Sequence, residues 1–318
     1  MIHIVMKILV TGGCGFIGSN FIHHVLKRPE VKHIINVDSM TYAANQDNVP
    51  FDTRVETIED DINNTEHMKY LMSSGDVTHV VHFAAESHVD NSIASPGAFI
   101  TSNINGTFSM LEAARATNVK RFHHVSTDEV YGSLGTTGKF LETTPYDPRS
   151  PYSASKASSD HLVRAFHHTY GMDVTISNCS NNYGPRQHRE KLIPKTITNI
   201  IMGNKVPVYG TGENVRDWLY VDDHCEAIWQ IITQGTSGAT YNIGGDCEMS
   251  NVEMVHVLCM LLGKNFDDVV QFVEDRKGHD FRYATDHTKI TTELGWSPSV
   301  TNIGEGLQKT IDFYTSQR

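Results

Sequence analysis

A chain of 318 residues with 26 Lys and Arg against 37 Asp and Glu carries a formal net charge of −11, is 39% apolar and holds 18 histidines. The length suits one large core or a main domain with a smaller companion, and the acidic excess argues against sequence-independent binding to nucleic acid or anionic lipid without excluding a small phosphorylated ligand. No apolar run approaches the ~18 residues of a membrane span, and the start MIHIVMKILVTGG passes into a strand-like run instead of a signal peptide, so no membrane partner and a soluble cytoplasmic location are expected.

In chain order, apolar or β-branched runs predict strands over 4–10, 33–37, 77–83, 121–126 and 174–179, and helical spacing predicts helices over 18–26, 98–117 and 152–170. This alternation is that of a parallel sheet whose crossovers are helices. After Gly184-Pro185 the texture changes to Pro, Gly and mixed charge, with a helix over 193–202, a strand over 206–209 and the apolar stretch YVDDHCEAIWQII from Tyr220. There is no repeat, low-complexity segment or long linker.

The turn after the first strand reads Gly12-Gly13-Cys14-Gly15-Phe16-Ile17-Gly18 and satisfies both GxGxxG and GxxGxxG. Glycines at a strand-to-helix turn let the backbone approach a pyrophosphate, whose charge is favoured by the free N–H groups of the helix N-terminus. Gly12, Gly15, Phe16, Ile17 and Gly18 are therefore candidate dinucleotide contacts. Asp38 ends the second strand, 20 residues beyond Gly18. A carboxylate there accepts ribose hydroxyls and repels a 2′-phosphate, favouring NAD over NADP. Asp61, Ile62, Phe83, Ala84 and Ala85 follow the third and fourth strands, where small residues let a dinucleotide cross the sheet. The expected fold is α/β, a Rossmann-type doubly wound parallel sheet with a smaller mixed α/β substrate-binding domain. The NAD-binding domain is expected over 1–182 with returning segments near 215–245, and the substrate-binding domain over 183–214 and 246–318.

The chemical residues come next. Ser150-Pro151 is a helix start, and on the helix that follows Tyr152 and Lys156 share a face at i, i+4. A nearby ammonium favours phenolate over phenol, which would make Tyr152 a base. The preceding strand ends His124-Val125-Ser126-Thr127-Asp128-Glu129. With VTGGCGFIGSNF, HFAAESHVDNSI, VSTDEVYG, PYSASKASSDHLV, NCSNNYGP and NVRDWLYVDDH, the chain resembles the extended short-chain dehydrogenase/reductases and, within them, the nucleotide-sugar 4,6-dehydratases. The Asp-Glu pair carries that distinction, since the family's epimerases have small neutral residues there.

The resemblance implies dehydration of a nucleotide-diphosphate glucose with recycled NAD. Hydride leaves C4, water is lost across C5 and C6, and hydride returns to C6. Glu129 is then the base at C5, Asp128 the acid at the C6 hydroxyl, Thr127 the partner of the C4 oxygen, Tyr152 the base for oxidation and Lys156 its electrostatic support. Residues adjacent on a strand face opposite ways, so the chain must turn at Asp128 for both carboxyls to reach one sugar. Asp128 must also stay protonated, which demands a desolvated site.

The same resemblance assigns Asn182 to NAD, Ser87 to the sugar or nicotinamide end, Asn181, Arg216 and Asn251 to the diphosphate, and Glu190-Lys191 to a loop beside the base. It sets Arg276, His279 and Asp280 in a loop closing over the nucleotide, and pairs subunits as a homodimer through the helices over 98–117 and 152–170. Arg186-Gln187-His188-Arg189 departs from the pattern for dTDP-glucose, which leaves UDP-glucose as a rival to that substrate. A C4 epimerase and a dinucleotide-binding redox sensor are the other readings; Asp128 opposes the first, and the set Thr127, Tyr152 and Lys156 the second. Arg186, Arg189, Lys191 and Lys195 cluster against Glu190 alone, so a locally positive cleft is expected. The five cysteines lack CxxC spacing and read as reduced, mostly buried thiols. The paired histidines, with no HExxH, give no metal site.

Overall fold

A computed structural model describes residues 5–275 and 279–316. The first half alternates strands and helices: β1 (Met6–Thr11), α1 (Phe16–Val25), β2 (Val31–Asp38), β3 (Val55–Glu59), α2 (Thr65–Ser74), β4 (His79–His82), α3 (Val89–Ala94), α4 (Gly97–Phe99), α5 (Gly106–Ala116), β5 (Arg121–Thr127), α6 (Pro151–Tyr170) and β6 (Val174–Cys179). Beyond them come β7 (Asn181–Tyr183), α7 (Leu192–Met202), β8 (Val206–Tyr209), β9 (Val215–Tyr220), α8 (Val221–Gln234), β10 (Thr240–Ile243), β11 (Glu248–Ser250), α9 (Asn251–Leu261), α10 (Phe266–Val269), β12 (Val270–Val273), α11 (Thr288–Leu294) and α12 (Ile303–Ser316).

Seven strands form one parallel sheet in the order β10-β6-β5-β4-β1-β2-β3. Strand order reverses between β1 and β4, which opens a crevice at their carboxyl ends. Both faces of the sheet are covered, so its strands are apolar runs without alternation. Met68, Leu71, Met110, Leu111, Val163 and Phe166 of α2, α5 and α6 fill one side. Phe21, Ile22, Val25, Cys225, Ile228 and Trp229 of α1 and α8 fill the other. A three-stranded sheet β11-β9-β7 and a two-stranded sheet β12-β8 carry the remaining chain, with α7, α9 and α12 packed around Trp218 and Tyr183.

The 20-residue α6 has strong local definition. Ser150 and Ser153 form a reciprocal capping box, Pro151 occupies the first turn, and Gly171 closes the helix at φ 66°. The helix expected over 98–117 is interrupted by a π-helical stretch, Ile100–Asn105. There the Asn103 amide accepts the Glu86 N–H at 2.8 Å and donates to the Glu86 carbonyl at 3.0 Å, tying the loop after β4 to this helix. His82 and His123 are core hydrogen-bonding residues, bound to Thr11 and to Thr175 and Ser177, and burial holds both neutral. All five cysteines are free thiols, four of them buried. Among the described residues, no helix is long and apolar enough to cross a membrane, and no cluster of three His, Cys, Asp or Glu is placed to hold a metal ion.

Candidate active site

A cleft of about 780 Å³ opens at the carboxyl ends of the central strands. The glycine turn forms its floor. Gly12 has φ 72°, and a Cβ there would stand 2.8 Å from the Ala84 nitrogen; at Gly18 a Cβ would stand 2.4 Å from the Gly12 carbonyl oxygen. Only glycine lets α1 sit this close to the turn. The N-terminus of α1, with no acidic residue in its first turn, faces the cleft through Gly15, Phe16 and Ile17. At the end of β2, Asp38 accepts the Cys14 N–H at 2.9 Å and the Met40 N–H at 3.0 Å. Burial raises its pKa and those two donors partly offset the rise. Asp61, Ile62, Phe83, Ala84, Ala85 and Ser87 complete this half of the wall. Donor N–H groups for a pyrophosphate, a strand-end carboxylate for ribose and a slot floored by Ala84 and Ala85 fit a dinucleotide without a 2′-phosphate.

The reacting groups face this floor from β5 and α6. Thr127 ends β5 with extended backbone, and its hydroxyl oxygen accepts the Glu129 N–H at 3.2 Å, starting the 3₁₀ turn Asp128–Tyr131. The turn breaks the strand's alternation and brings Asp128 and Glu129 to the same wall as Tyr152 and Lys156. Asp128 is 2% exposed. Burial, then Glu129 and Asp217, drive its pKa well above the carboxylate range, with Arg216 and the Thr127 hydroxyl opposing. The site thus favours the protonated, neutral form of this carboxyl over the ionised one.

The surroundings of Tyr152 do not give the expected lowering of its pKa. Its pKa rises well above 10, from burial first and Glu129 second, despite a hydrogen bond from Thr127. Lys156 does not offset this because its own ammonium is buried and directed at the Val125 carbonyl, 2.8 Å away. Burial brings that lysine down to about 8.

Toward the other end, Asn181, Asn182, Glu190 and Lys191 line the wall. Asn182 is oriented by His224 Nδ1 at 2.9 Å and by the Ser180 carbonyl. Arg216, Asn251, His279 and Asp280 lie outside this wall. The Arg216 guanidinium stacks 4.5 Å over the Tyr283 ring and donates to the Asp280 carbonyl at 3.1 Å, while His279 pairs with Asp275. Arg276 lies outside the described residues. Among the described residues, the wall is not locally positive. Arg186 turns to Asn20 of α1 and the Phe313 ring, and Glu190 stands between His88 and His188. The wall holds Asp38, Glu59, Asp60, Asp61, Glu86, Asp128, Glu129 and Glu190 against Lys156 and Lys191. Backbone N–H groups, more than side-chain cations, are therefore what this wall offers a diphosphate. Ser39, Thr41 and Ser102 also line it and carried no signal in the sequence.

The family model for GDP-mannose 4,6 dehydratase matches residues 9–310. A dTDP-glucose 4,6-dehydratase of Mycolicibacterium smegmatis is 49% identical, with 97% of this chain and 93% of that protein covered. The structure of the Streptomyces venezuelae dTDP-glucose 4,6-dehydratase with NAD and TYD bound superimposes with a TM-score of 0.94 at 45% identity, covering 98% of each chain. A UDP-glucose 4-epimerase of Thermotoga maritima matches with a TM-score of 0.91 at 29% identity, over 98% of this chain and 99% of that one, so the backbone alone does not separate the two chemistries. Sequence relationship over nearly the whole length and the acid pair on the turn after β5 agree: the chain belongs to the dTDP-glucose 4,6-dehydratase family of extended short-chain dehydrogenase/reductases.

Proposed function

We infer that this chain is an NAD-dependent hydro-lyase that converts dTDP-glucose to dTDP-4-keto-6-deoxyglucose. The observation that carries the reading is the buried Asp128 next to Glu129, its pKa driven upward, on the cleft wall shared with Tyr152 and Lys156. NAD held by the glycine turn and Asp38 would supply a hydride acceptor for C4 and the same hydride for C6, which leaves the reaction redox-neutral.

Tyr152 takes the proton of the C4 hydroxyl: the positive charge of the nicotinamide would favour its phenolate over the buried phenol, Thr127 donates to the C4 oxygen, and the Lys156 ammonium adds positive charge on the same wall. The resulting ketone acidifies C5, and Glu129 removes the C5 proton. Asp128 delivers its proton to the C6 hydroxyl, which departs as water. A neutral acid and a base a residue apart are what this elimination needs, each worth ~10²–10⁴ in rate. Gly12, Gly15, Phe16, Ile17, Gly18, Asp38, Asp61, Ile62, Phe83, Ala84, Ala85, Ser87 and Asn182 are proposed to hold NAD along with Tyr152 and Lys156. Ser87, Asn181, Glu190, Lys191, Arg216, Asn251, Arg276, His279 and Asp280 are proposed for the sugar nucleotide, Arg216 and its neighbours from a second layer. On this assignment residues 1–182 with 215–245 serve the cofactor, and 183–214 with 246–318 the substrate.

Two finer points belong to the same reading. Ile93, Ile100, Phe108 and Tyr170 are each about half exposed on α3–α6 and support a homodimer through that face. Five free thiols fit a reducing compartment, the cytoplasm. The test is incubation of purified protein with dTDP-, UDP-, CDP- and GDP-glucose. A 4-keto-6-deoxy product formed fastest from dTDP-glucose is expected; preference for UDP-glucose would overturn the assigned nucleotide, and dTDP-galactose as product would overturn the chemistry.

A further inference from the structure

We propose that Asp160 and His124 are positioning residues for Lys156: Asp160 is the buried counter-charge of its ammonium, and the His124 imidazole between them fixes where that ammonium points. The inference rests on the function proposed above, in which Lys156 supports Tyr152.

Helix α6 places Tyr152, Lys156 and Asp160 at i, i+4 and i+8, a single face running from the cleft into the protein. Lys156 Nζ lies 3.3 Å from His124 Nε2, and that nitrogen lies 3.3 Å from Asp160 Oδ1. The His124 and Asp160 side chains are both fully buried. An ammonium taken out of water needs a compensating charge. Asp160 is held as an anion by the Ser126 hydroxyl at 3.0 Å, the Tyr146 hydroxyl at 2.7 Å and the Asn178 amide at 3.4 Å, with Arg164 donating to Tyr146 behind them. Burial pushes Asp160 upward, but His124, Lys156 and Tyr146 outweigh it and leave the carboxyl below its ordinary range.

Burial takes His124 down to about 4, so the imidazole is neutral and has one N–H. Its Nε2 faces a donor on one side and an acceptor on the other. Its Nδ1 has no hydrogen-bond partner among the described residues, and Asp160 Oδ1 has none there beyond the 3.3 Å approach of His124 Nε2. Buried polar atoms left unmet are uncommon in a core that serves packing alone. The other titratable groups that feel the Lys156 charge are His82 on β4 and Cys179 on β6. Asp160 is the foremost of the groups that favour the charged lysine.

The test follows the ¹⁵N resonance of the Lys156 ammonium through a pH titration of the NAD-bound protein, alongside the pH profile of kcat. In Asp160→Asn the lysine midpoint is expected to fall by about one unit or more, and the alkaline limb of kcat to move with it, while KM changes less than kcat. His124→Gln, which keeps a bonding group but not the ring, is expected to lower kcat at least tenfold and to shift the Lys156 resonance. Thermal midpoints and NAD retention establish that each variant is folded. A wild-type Lys156 midpoint in folded Asp160→Asn overturns the proposal; should that variant not fold, a wild-type kcat and resonance in His124→Gln overturn it. The titration needs no turnover, so failure of wild-type protein to act on dTDP-glucose would sink the function and leave the lysine result to decide this inference.

Discussion

Replacing Asp128 by Asn separates the acid's chemical role from its cost to the fold. The side chain is 2% exposed, and its two oxygens have only long contacts, 3.4 Å each, to the Thr127 and Thr285 hydroxyls. An amide has the size of the protonated acid, so packing is preserved. Without a proton for the C6 hydroxyl, elimination is expected to slow by ~10²–10⁴, about 3–5 kcal/mol of barrier. Stability moves the other way. The folded pKa of Asp128 lies above its unfolded value, so its contribution is intact below the ordinary carboxylate pKa and is lost as pH rises toward the folded pKa. Each tenfold bias toward the protonated form costs about 1.4 kcal/mol above that range. Asp128→Asn should therefore be more stable than wild type at about pH 8, with the gain vanishing near pH 4. Urea denaturation at both pH values, with single-turnover assays of water loss, reads both effects. A variant that is less stable at pH 8, or one that eliminates water at the wild-type rate, refutes the reasoning.

Asp128→Asn combined with Glu129→Gln should retain C4 oxidation, seen as the near-ultraviolet absorbance of reduced nicotinamide on mixing with substrate, while 4-keto-6-deoxy product forms at least a hundredfold more slowly, by the rate ascribed to each acid–base group. Gly12→Ala puts a Cβ 2.8 Å from the Ala84 nitrogen at a backbone angle of φ 72°, which adds ~1–2 kcal/mol of left-handed strain to the steric clash. It should be purified with little bound NAD, measured by the ratio of nucleotide to protein absorbance. Phe108→Glu places a charge on the apolar face of α5 and should shift sedimentation toward a monomer.

The strands with continuous apolar runs were legible almost to the residue, Val174–Cys179 among them, because two-sided burial leaves no alternation to misread. The edge strand β3 is only half covered, and its sequence VETIE shows as little more than the place where a third strand had to precede Asp61. The π-helical stretch was invisible because its partner, Glu86, lies on another element. At the site, the shared face of Tyr152 and Lys156 followed from helical spacing. Their ionisation did not, since burial depends on everything packed above the helix. The same holds for Asp128, whose neighbour Thr285 arrives from 157 residues away. Counting basic residues between Arg186 and Lys195 gave the wrong sign for the cleft, because composition carries no direction and Arg186 points to α1. Asp160 was readable as one more turn of the Tyr152–Lys156 face, yet only the fold shows His124 filling the gap between the two charges.

Deuterium at C4 of dTDP-glucose reports on the whole cycle. If one bound NAD takes hydride from C4 and returns it to C6 of the same molecule, the 4-keto-6-deoxy product carries deuterium at C6, with no crossover when labelled and unlabelled substrates are mixed. Deuterium retained at C4 of a gluco or galacto sugar, or lost to solvent, would contradict the dehydratase assignment.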